Sequence, residues 1–188
     1  MRLIAGQFAR RRIEAPKGSA TRPTPDRVRE ALFQHLVVAW LDGGFEGRTV
    51  FDLYAGSGGL GLEALSRGAT RVVFVDAARA AVRCIADNVR ALGCGTSCEI
   101  VTGELPAALG RLGGRASVVF ADPPYADRPL AELGRTLLAR ELVTADCLLV
   151  FEHDARVSVE APAGWSTVGV RRWGDTAVAL FRPVGSEG

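Results

Sequence analysis

Val50-Phe51-Asp52-Leu53-Tyr54-Ala55-Gly56-Ser57-Gly58-Gly59-Leu60-Gly61-Leu62-Glu63-Ala64-Leu65 is the stretch from which the rest of the chain is read. A short apolar run closing on an acid leads into a glycine-rich turn, and a helically spaced apolar pattern follows. That order is strand, loop, helix. Gly56, Gly58 and Gly61 stand at the G-x-G-x-x-G spacing. Glycine there opens backbone angles closed to other residues and lets a ligand approach the main chain closely. The same spacing also arises in purely structural turns, so its meaning depends on what flanks it.

Thr70-Arg71-Val72-Val73-Phe74-Val75-Asp76 reads as a second buried strand, and its closing acid lies 15 residues after Gly61. A carboxylate about 20 residues beyond such a loop suits the two vicinal hydroxyls of a ribose. Asp76 also reads as the cap of the next helix, and one carboxylate can do both. Nicotinamide cofactors and S-adenosylmethionine (SAM) share the ribose logic. Asp52, placed before the glycines, separates them: a carboxylate there repels a pyrophosphate and attracts the ammonium of a methionine moiety. SAM is therefore the expected cofactor, held by Asp52, Tyr54, Gly56, Gly58, Gly61 and Asp76.

The chain has 188 residues, 48% of them hydrophobic, which suits one good-sized domain. No apolar run approaches the ~18 residues of a membrane span. The first residues, Met1-Arg2-Leu3-Ile4-Ala5-Gly6-Gln7, lack the apolar core of a secretory signal, so a cytoplasmic protein is expected. Cys84, Cys94, Cys98 and Cys147 form no C-x-x-C pair, and His35 and His153 complete no zinc pattern with them. Reduced thiols and no metal are expected, with a Cys94–Cys98 disulfide as the alternative.

Charge is distributed unevenly. Residues 1–29 carry eight bases against two acids, a net of +6, while the other 159 residues carry 15 bases and 19 acids. A basic arm on a mildly acidic body fits a polyanionic partner, and arginine pairs bidentately with phosphate and stacks on bases. Arg10, Arg11, Arg12, Arg22, Arg27 and Arg29 are the candidate substrate contacts. The competing reading is a solvated tail whose arginines follow overall composition.

Arg2–Ala5 and Arg11–Ala15 read as short strands of a basic hairpin, and Pro16 to Pro25 as a linker. Residues 1–25 are thus expected to form an N-terminal extension, with 26–188 the main domain. Thr24 is a candidate N-cap and Pro25 a first helical residue, opening a helix that runs to about Leu41. Strands are expected near 49–54, 71–75, 98–101, 117–121 and 146–152, and helices near 59–67, 77–92, 105–111 and 129–139. Alternation of this kind predicts an α/β fold whose parallel sheet carries helices on both faces. Val157–Val159, Trp165–Arg172 and Thr176–Arg182 read as an antiparallel finish. A seven-stranded, mostly parallel sheet is expected.

Val118-Val119-Phe120-Ala121-Asp122-Pro123-Pro124-Tyr125 carries the candidate chemistry. Ligands of open α/β sheets bind beyond the carboxyl ends of the strands, where this acid-Pro-Pro-aromatic run falls. Two prolines stiffen the backbone and leave carbonyls free to point outward. A carboxylate, a carbonyl and a ring within four residues suit a planar base bearing an exocyclic amine. Asp122 and the Pro123 carbonyl accept the amine hydrogens, and Tyr125 stacks on the base. The lone pair of such an amine is delocalised into its ring, and holding both hydrogens out of plane localises it for attack. The competing reading is a rigid turn. Glu104, after the third strand, is placed to accept from the adenine amine or to cap the following helix, and Ala77 and Ala78 would flank the adenine.

The stretches Asp52 to Gly61 and Asp122 to Tyr125 resemble those of class I SAM-dependent amino-methyltransferases. Ile4-Ala5-Gly6-Gln7-Phe8 and Arg22-Pro23-Thr24-Pro25-Asp26-Arg27-Val28-Arg29-Glu30-Ala31-Leu32-Phe33 resemble the bacterial 16S ribosomal RNA guanine-N2 methyltransferases of the RsmD family. Leu149-Val150-Phe151-Glu152 and Trp173-Gly174-Asp175-Thr176-Ala177 fit the same family. The resemblance implies a Rossmann-like fold and methyl transfer to one guanine of small-subunit rRNA within the 30S particle. A monomer is expected. Phe8 is often tryptophan in the family and Tyr125 often phenylalanine, and both changes keep the ring. A DNA adenine-N6 methyltransferase uses the same acid-Pro-Pro-aromatic logic, but no second domain large enough to read DNA sequence is evident. A non-catalytic RNA-binding module would have no evident need for Asp52, Asp76 and Asp122 together.

Overall fold

A computed structural model describes residues 1–16, 26–124 and 129–185, with the backbone alone described for residues 26–28 and 37–39. Strands β1 (Thr49–Leu53), β2 (Arg71–Asp76), β3 (Cys98–Thr102), β4 (Ala116–Ala121), β5 (Val143–Asp154), β6 (Trp165–Trp173) and β7 (Thr176–Pro183) form one sheet. Their order is β3-β2-β1-β4-β5-β7-β6. The first five pair in parallel, and β7 joins β5 and β6 antiparallel. This is the mostly parallel, seven-stranded sheet expected from the alternation of apolar runs. The helices are α1 (Asp26–Ala39), α2 (Gly59–Ser66), α3 (Arg79–Leu92) and α4 (Leu130–Ala139). Thr24, Pro25, Arg22, Tyr125 and most of the expected linker lie outside the described residues. Among the described residues, no helix is long and apolar enough to cross a membrane.

Strict alternation along the strands divides the core in two. Val50, Val72, Phe74, Val118, Phe120, Leu148, Val150, Val178 and Leu180 face one layer, where α1, α2 and α3 supply Leu32, Phe33, Leu36, Leu62, Leu65, Ile85 and Val89. Phe51, Val73, Val75, Val119, Leu149, Phe151 and Phe181 face the other, covered by Leu130, Leu133 and Leu137 of α4. Successive side chains point to opposite faces of a strand, so apolar runs buried on both sides need helices on both sides.

Three expectations are corrected. The helix expected over 105–111 is a single 3₁₀ turn, Ala107–Arg111. Pro106 and the Gly113-Gly114 pair leave room for little more. Val157–Val159 is not a strand. The Arg156 N–H bonds the Asp154 carboxylate at 2.9 Å and the Val157 N–H bonds the Asp154 carbonyl at 3.0 Å, turning the chain off the sheet. The N-terminal hairpin forms, but its strands shrink to the antiparallel bridge of Arg2 with Arg12, flanked by bonds from the Ile13 N–H to the Met1 carbonyl at 3.1 Å and from the Leu3 N–H to the Arg11 carbonyl at 3.0 Å.

The strands are short because the backbone N–H groups between those rungs bond α2 instead. The Glu63 carboxylate, fully buried on α2, accepts the Ile4 N–H at 2.7 Å and the Ala5 N–H at 3.1 Å. Arg67 pairs with the same carboxylate at 2.7 Å, which compensates a charge otherwise costly to bury. The Gln7 N–H reaches the Ser66 carbonyl at 2.8 Å, and the Phe8 N–H reaches the Ser66 hydroxyl at 2.9 Å. Leu3 and Ile13, each 1% exposed, join the helical core.

Gly6 sits where the arm crosses the end of α2, at φ +80°, and a Cβ there would lie 1.7 Å from the Ser66 carbonyl oxygen. Gly43 has nearly the same φ, +74°, with nothing within 4 Å of its Cβ position. Gly43→Ala should therefore cost only left-handed backbone strain, about 1–2 kcal/mol. Gly6→Ala adds a clash with rigid main chain and should cost about 2–4 kcal/mol in urea unfolding. Equal losses would mean that the arm does not dock on α2.

Candidate functional site

The sheet grows one way from β1 through β2 to β3, then resumes on the other side of β1 with β4. Loops leaving β1 and β4 therefore diverge, and a crevice opens beyond their carboxyl ends. Leu53 pairs with Ala121 across that junction. Asp52 precedes this rung and Asp122 follows it, with the Asp122 N–H 3.5 Å from the Leu53 carbonyl.

The glycine loop is built against the sheet by a small set of bonds. Tyr54 leaves β1 at φ +59°, a left-handed angle uncommon for a residue bearing a side chain. Gly58, at φ +76°, caps α2, and its N–H bonds the Ala55 carbonyl at 2.7 Å. Gly61 serves a different purpose. A Cβ on it would lie 2.5 Å from Phe74 Cε1 and 2.7 Å from Val72 Cγ1, so glycine is what lets α2 touch β2. Its N–H bonds Asp52 Oδ2 at 2.8 Å. Asp76 receives the Gly56 N–H on Oδ2 and the Ala78 N–H on Oδ1, each at 2.8 Å. One carboxylate thus fixes both the glycine loop and the entry to α3.

Three carboxylates are gathered at one sheet edge, and burial dominates two of them, Asp52 and Asp122. Asp52, 2% exposed, is pushed up to about 8 by burial, against the Gly61 hydrogen bond, and the charges of Asp122 and Asp76 add to the rise. Burial likewise raises Asp122 to about 6. Pro123 is buried and Pro124 exposed. An edge of this kind favours a ligand that brings positive charge and repels one that brings a pyrophosphate.

Other candidate residues fall as follows. Glu104, Ala77 and Ala78 are exposed near the ends of β3 and β2, where the Gly103 N–H bonds the Asp76 carbonyl at 2.9 Å. Arg10, Arg11 and Arg12 are exposed on the arm, and Arg11 Nη2 bonds the Ala91 carbonyl in the last turn of α3 at 2.7 Å. Only the backbone of Arg27 is described. Arg29 is a correction. It is 2% exposed, with Nη1 on Met1 Sδ at 2.7 Å and Nη2 on the Arg2 carbonyl, so it fastens the arm to α1 from inside. An arginine in a helix next to a basic arm reads as surface charge until packing shows its direction. The four thiols are free, with Cys94 Sγ and Cys98 Sγ 3.8 Å apart, and the alternative disulfide is not formed.

Two functional residues escaped the sequence reading. Glu63 interrupts the apolar run of α2, and Asn88 occupies the buried stripe Ala81, Cys84, Ile85, Asn88, Val89, Leu92 of α3. A polar residue on an apolar helix face was the available signal, since buried polar groups are there to be bonded.

Comparison with known proteins agrees with this arrangement. A family model described as conserved hypothetical protein 95 matches residues 1–182. YlbH of Bacillus subtilis is 33% identical over 190 residues, covering 98% of this chain and all of its own. Ribosomal RNA small subunit methyltransferase D of Escherichia coli is 31% identical over 183 residues, covering 97% of this chain and 89% of its own. The solved structure of a hypothetical protein from Thermus thermophilus superposes with a TM-score of 0.77 at 34% identity, covering 96% of this chain and 98% of that one. The chain belongs to the RsmD family of methyltransferases.

Proposed function

We propose that this protein transfers a methyl group from SAM to the exocyclic N2 amine of a guanine in small-subunit rRNA, presented within the 30S particle. The observation that carries the reading is the convergence of Asp52, Asp76 and Asp122 at the carboxyl ends of β1, β2 and β4 beside a glycine loop with no basic residue in it. That edge suits a cofactor carrying an ammonium and a sulfonium. SAM supplies an electrophilic methyl group there. Asp52 holds the ammonium, Gly56, Gly58 and Tyr54 shape the loop against the cofactor, and Asp76 accepts from the ribose through lone pairs its two loop bonds leave. Glu104 takes the adenine amine.

Asp122 and the Pro123 carbonyl accept the two hydrogens of the target amine, with Tyr125 stacked on the base. Drawing both hydrogens to one side restores lone-pair density outside the ring plane, so no base need remove a proton before attack. Arg10, Arg11 and Arg12 contact the RNA backbone. Arg22 and Arg27 add to that contact. A fixed target inside a ribonucleoprotein needs little base readout, because the particle supplies the shape. The E. coli relative's name, which gives a small-subunit rRNA as its substrate, supports RNA over DNA.

Asp76→Ala should weaken SAM binding at least tenfold by calorimetry. The variant loses the ribose acceptor and the anchor of Gly56 together, and unpaired groups cost about 1–3 kcal/mol each. Wild-type affinity in this variant would overturn the ribose assignment.

Replacing Arg10 and Arg12 by Ala should reduce the salt slope of 30S binding by about 1 per lost phosphate contact while leaving SAM affinity unchanged. An unaltered slope would return the arm to a solvated role.

Asp122→Ala should lower the single-turnover rate of methyl transfer to 30S subunits ~10²–10³-fold with SAM affinity close to normal, since its contact matters most in the transition state. Asp122 accepts its amine hydrogen most strongly when ionised, and burial raises its carboxyl to about 6 in the free protein. Hence kcat/KM should rise with pH through about 6 and then level. A rate that falls across that range, or an Asp122→Ala variant that turns over normally, would dismiss the amine-acceptor role.

A further inference from the structure

Asn88 links the basic arm to the glycine loop. It lies on the buried face of α3 and is 3% exposed. Its Oδ1 accepts the Glu14 N–H at 2.8 Å, and its Nδ2 donates to the Glu14 carbonyl at 3.0 Å. The same Nδ2 donates its second hydrogen to the Ser57 carbonyl, also at 3.0 Å. The amide orientation follows from these partners: turned over, its oxygen would face two carbonyl oxygens and its NH₂ a backbone N–H. One side chain therefore clamps residue 14 of the arm and the middle of the Gly56–Gly58 turn. Every hydrogen it carries on nitrogen is used.

The tie is reinforced along α2. Met1 Sδ lies 3.2 Å from where a Cβ of Gly59 would be, Glu63 holds Ile4 and Ala5, and Ser66 holds Gln7 and Phe8. Loop and helix cannot shift without carrying the arm. The arm's exposed face carries Arg10 and Arg12.

We infer that Asn88 is a positioning residue that couples the two ligands, so that ordering the glycine loop around the cofactor also orders the arginine arm for RNA, and RNA on the arm tightens the cofactor site. The inference rests on the function proposed above. Its physical basis is shared ordering. A segment fixed by the first ligand has less conformational freedom left to lose when the second binds. Such coupling is reciprocal, and it commonly amounts to about 5–150-fold in affinity. Asn88 touches neither the reacting amine nor the cofactor in this scheme. It acts through the Ser57 and Glu14 backbone.

The test measures the affinity of S-adenosylhomocysteine, the unreactive product, by equilibrium dialysis with and without saturating 30S subunits that lack the modification. In the wild type we expect the 30S subunit to tighten binding at least about fivefold. Asn88→Ala should bring that ratio to within twofold of unity. Val89→Ala, one position along on the same helix, removes buried methyls and no hydrogen bond, and should keep the wild-type ratio despite lowering the melting temperature. A second measurement needs no variant: saturating S-adenosylhomocysteine should slow amide hydrogen exchange at Glu14 severalfold. Equal affinity with and without 30S subunits in a wild type that binds both overturns the coupling alone. A wild type that binds no S-adenosylhomocysteine overturns the proposed function and the coupling with it. Retained coupling in Asn88→Ala, or unchanged exchange at Glu14, overturns the role of Asn88.

Discussion

A single bond from the Gly61 N–H to the Asp52 carboxylate sets how closely helix and sheet approach at the centre of this fold. It spans the loop that closes between β1 and α2, and it works only because position 61 has no side chain. The aromatic edge of Phe74 and the methyl of Val72 occupy the space a Cβ would need. Close approach brings the first turn of α2 over the end of β1. Asp52 in turn is buried by that approach. Its carboxyl rises to about 8, in a site whose neighbours are two further acids. The same contact that packs the helix therefore creates the electrostatic demand for a cation.

Much of the architecture was legible because its elements announce themselves locally. Each parallel strand is an apolar run ended by a turn residue, and each helix carries a stripe at 3.6-residue spacing. The glycine spacing and the acids at strand ends located the site edge, since ligands of open α/β sheets gather where the strand order reverses. What escaped depended on partners distant in sequence. Ile4 and Ala5 look like strand residues until Glu63, some 58 positions away, takes their N–H groups. Arg29 looks like surface charge until Met1 and the Arg2 carbonyl are placed against it. Val157–Val159 has strand composition, and the Asp154–Arg156 turn overrides it. Propensity yields to tertiary bonding in each case.

The N-terminal arm illustrates how a charged segment is made part of a folded domain. Arg10, Arg11 and Arg12 lie exposed at the end of its turn and just beyond it, while Leu3 and Ile13 are buried. Met1, Leu3, Arg11 and Ile13 pair across the short hairpin, and the N–H groups of Ile4, Ala5, Phe8 and Glu14 are satisfied by Glu63, Ser66 and Asn88. The arm thereby acquires a fixed position without joining the main sheet. Long, flexible side chains on a fixed backbone lose less freedom on meeting phosphate than the same side chains on a free tail.

Two opposite charge problems are thus solved by one set of helices. Inside, α2 buries Asp52 beside Asp122 and Asp76, and burial raises its carboxyl to about 8. Outside, the arm's arginines repel one another until a polyanion arrives. Both the carboxylates and the arm are held against α2 or its loop. Asn88 is the place where the two meet, because its one amide bonds both the loop and the arm. A helix with only apolar residues along that face would pack as well against the sheet. It would leave the cofactor loop and the arginine arm as separate devices, each ordered at its own entropic cost.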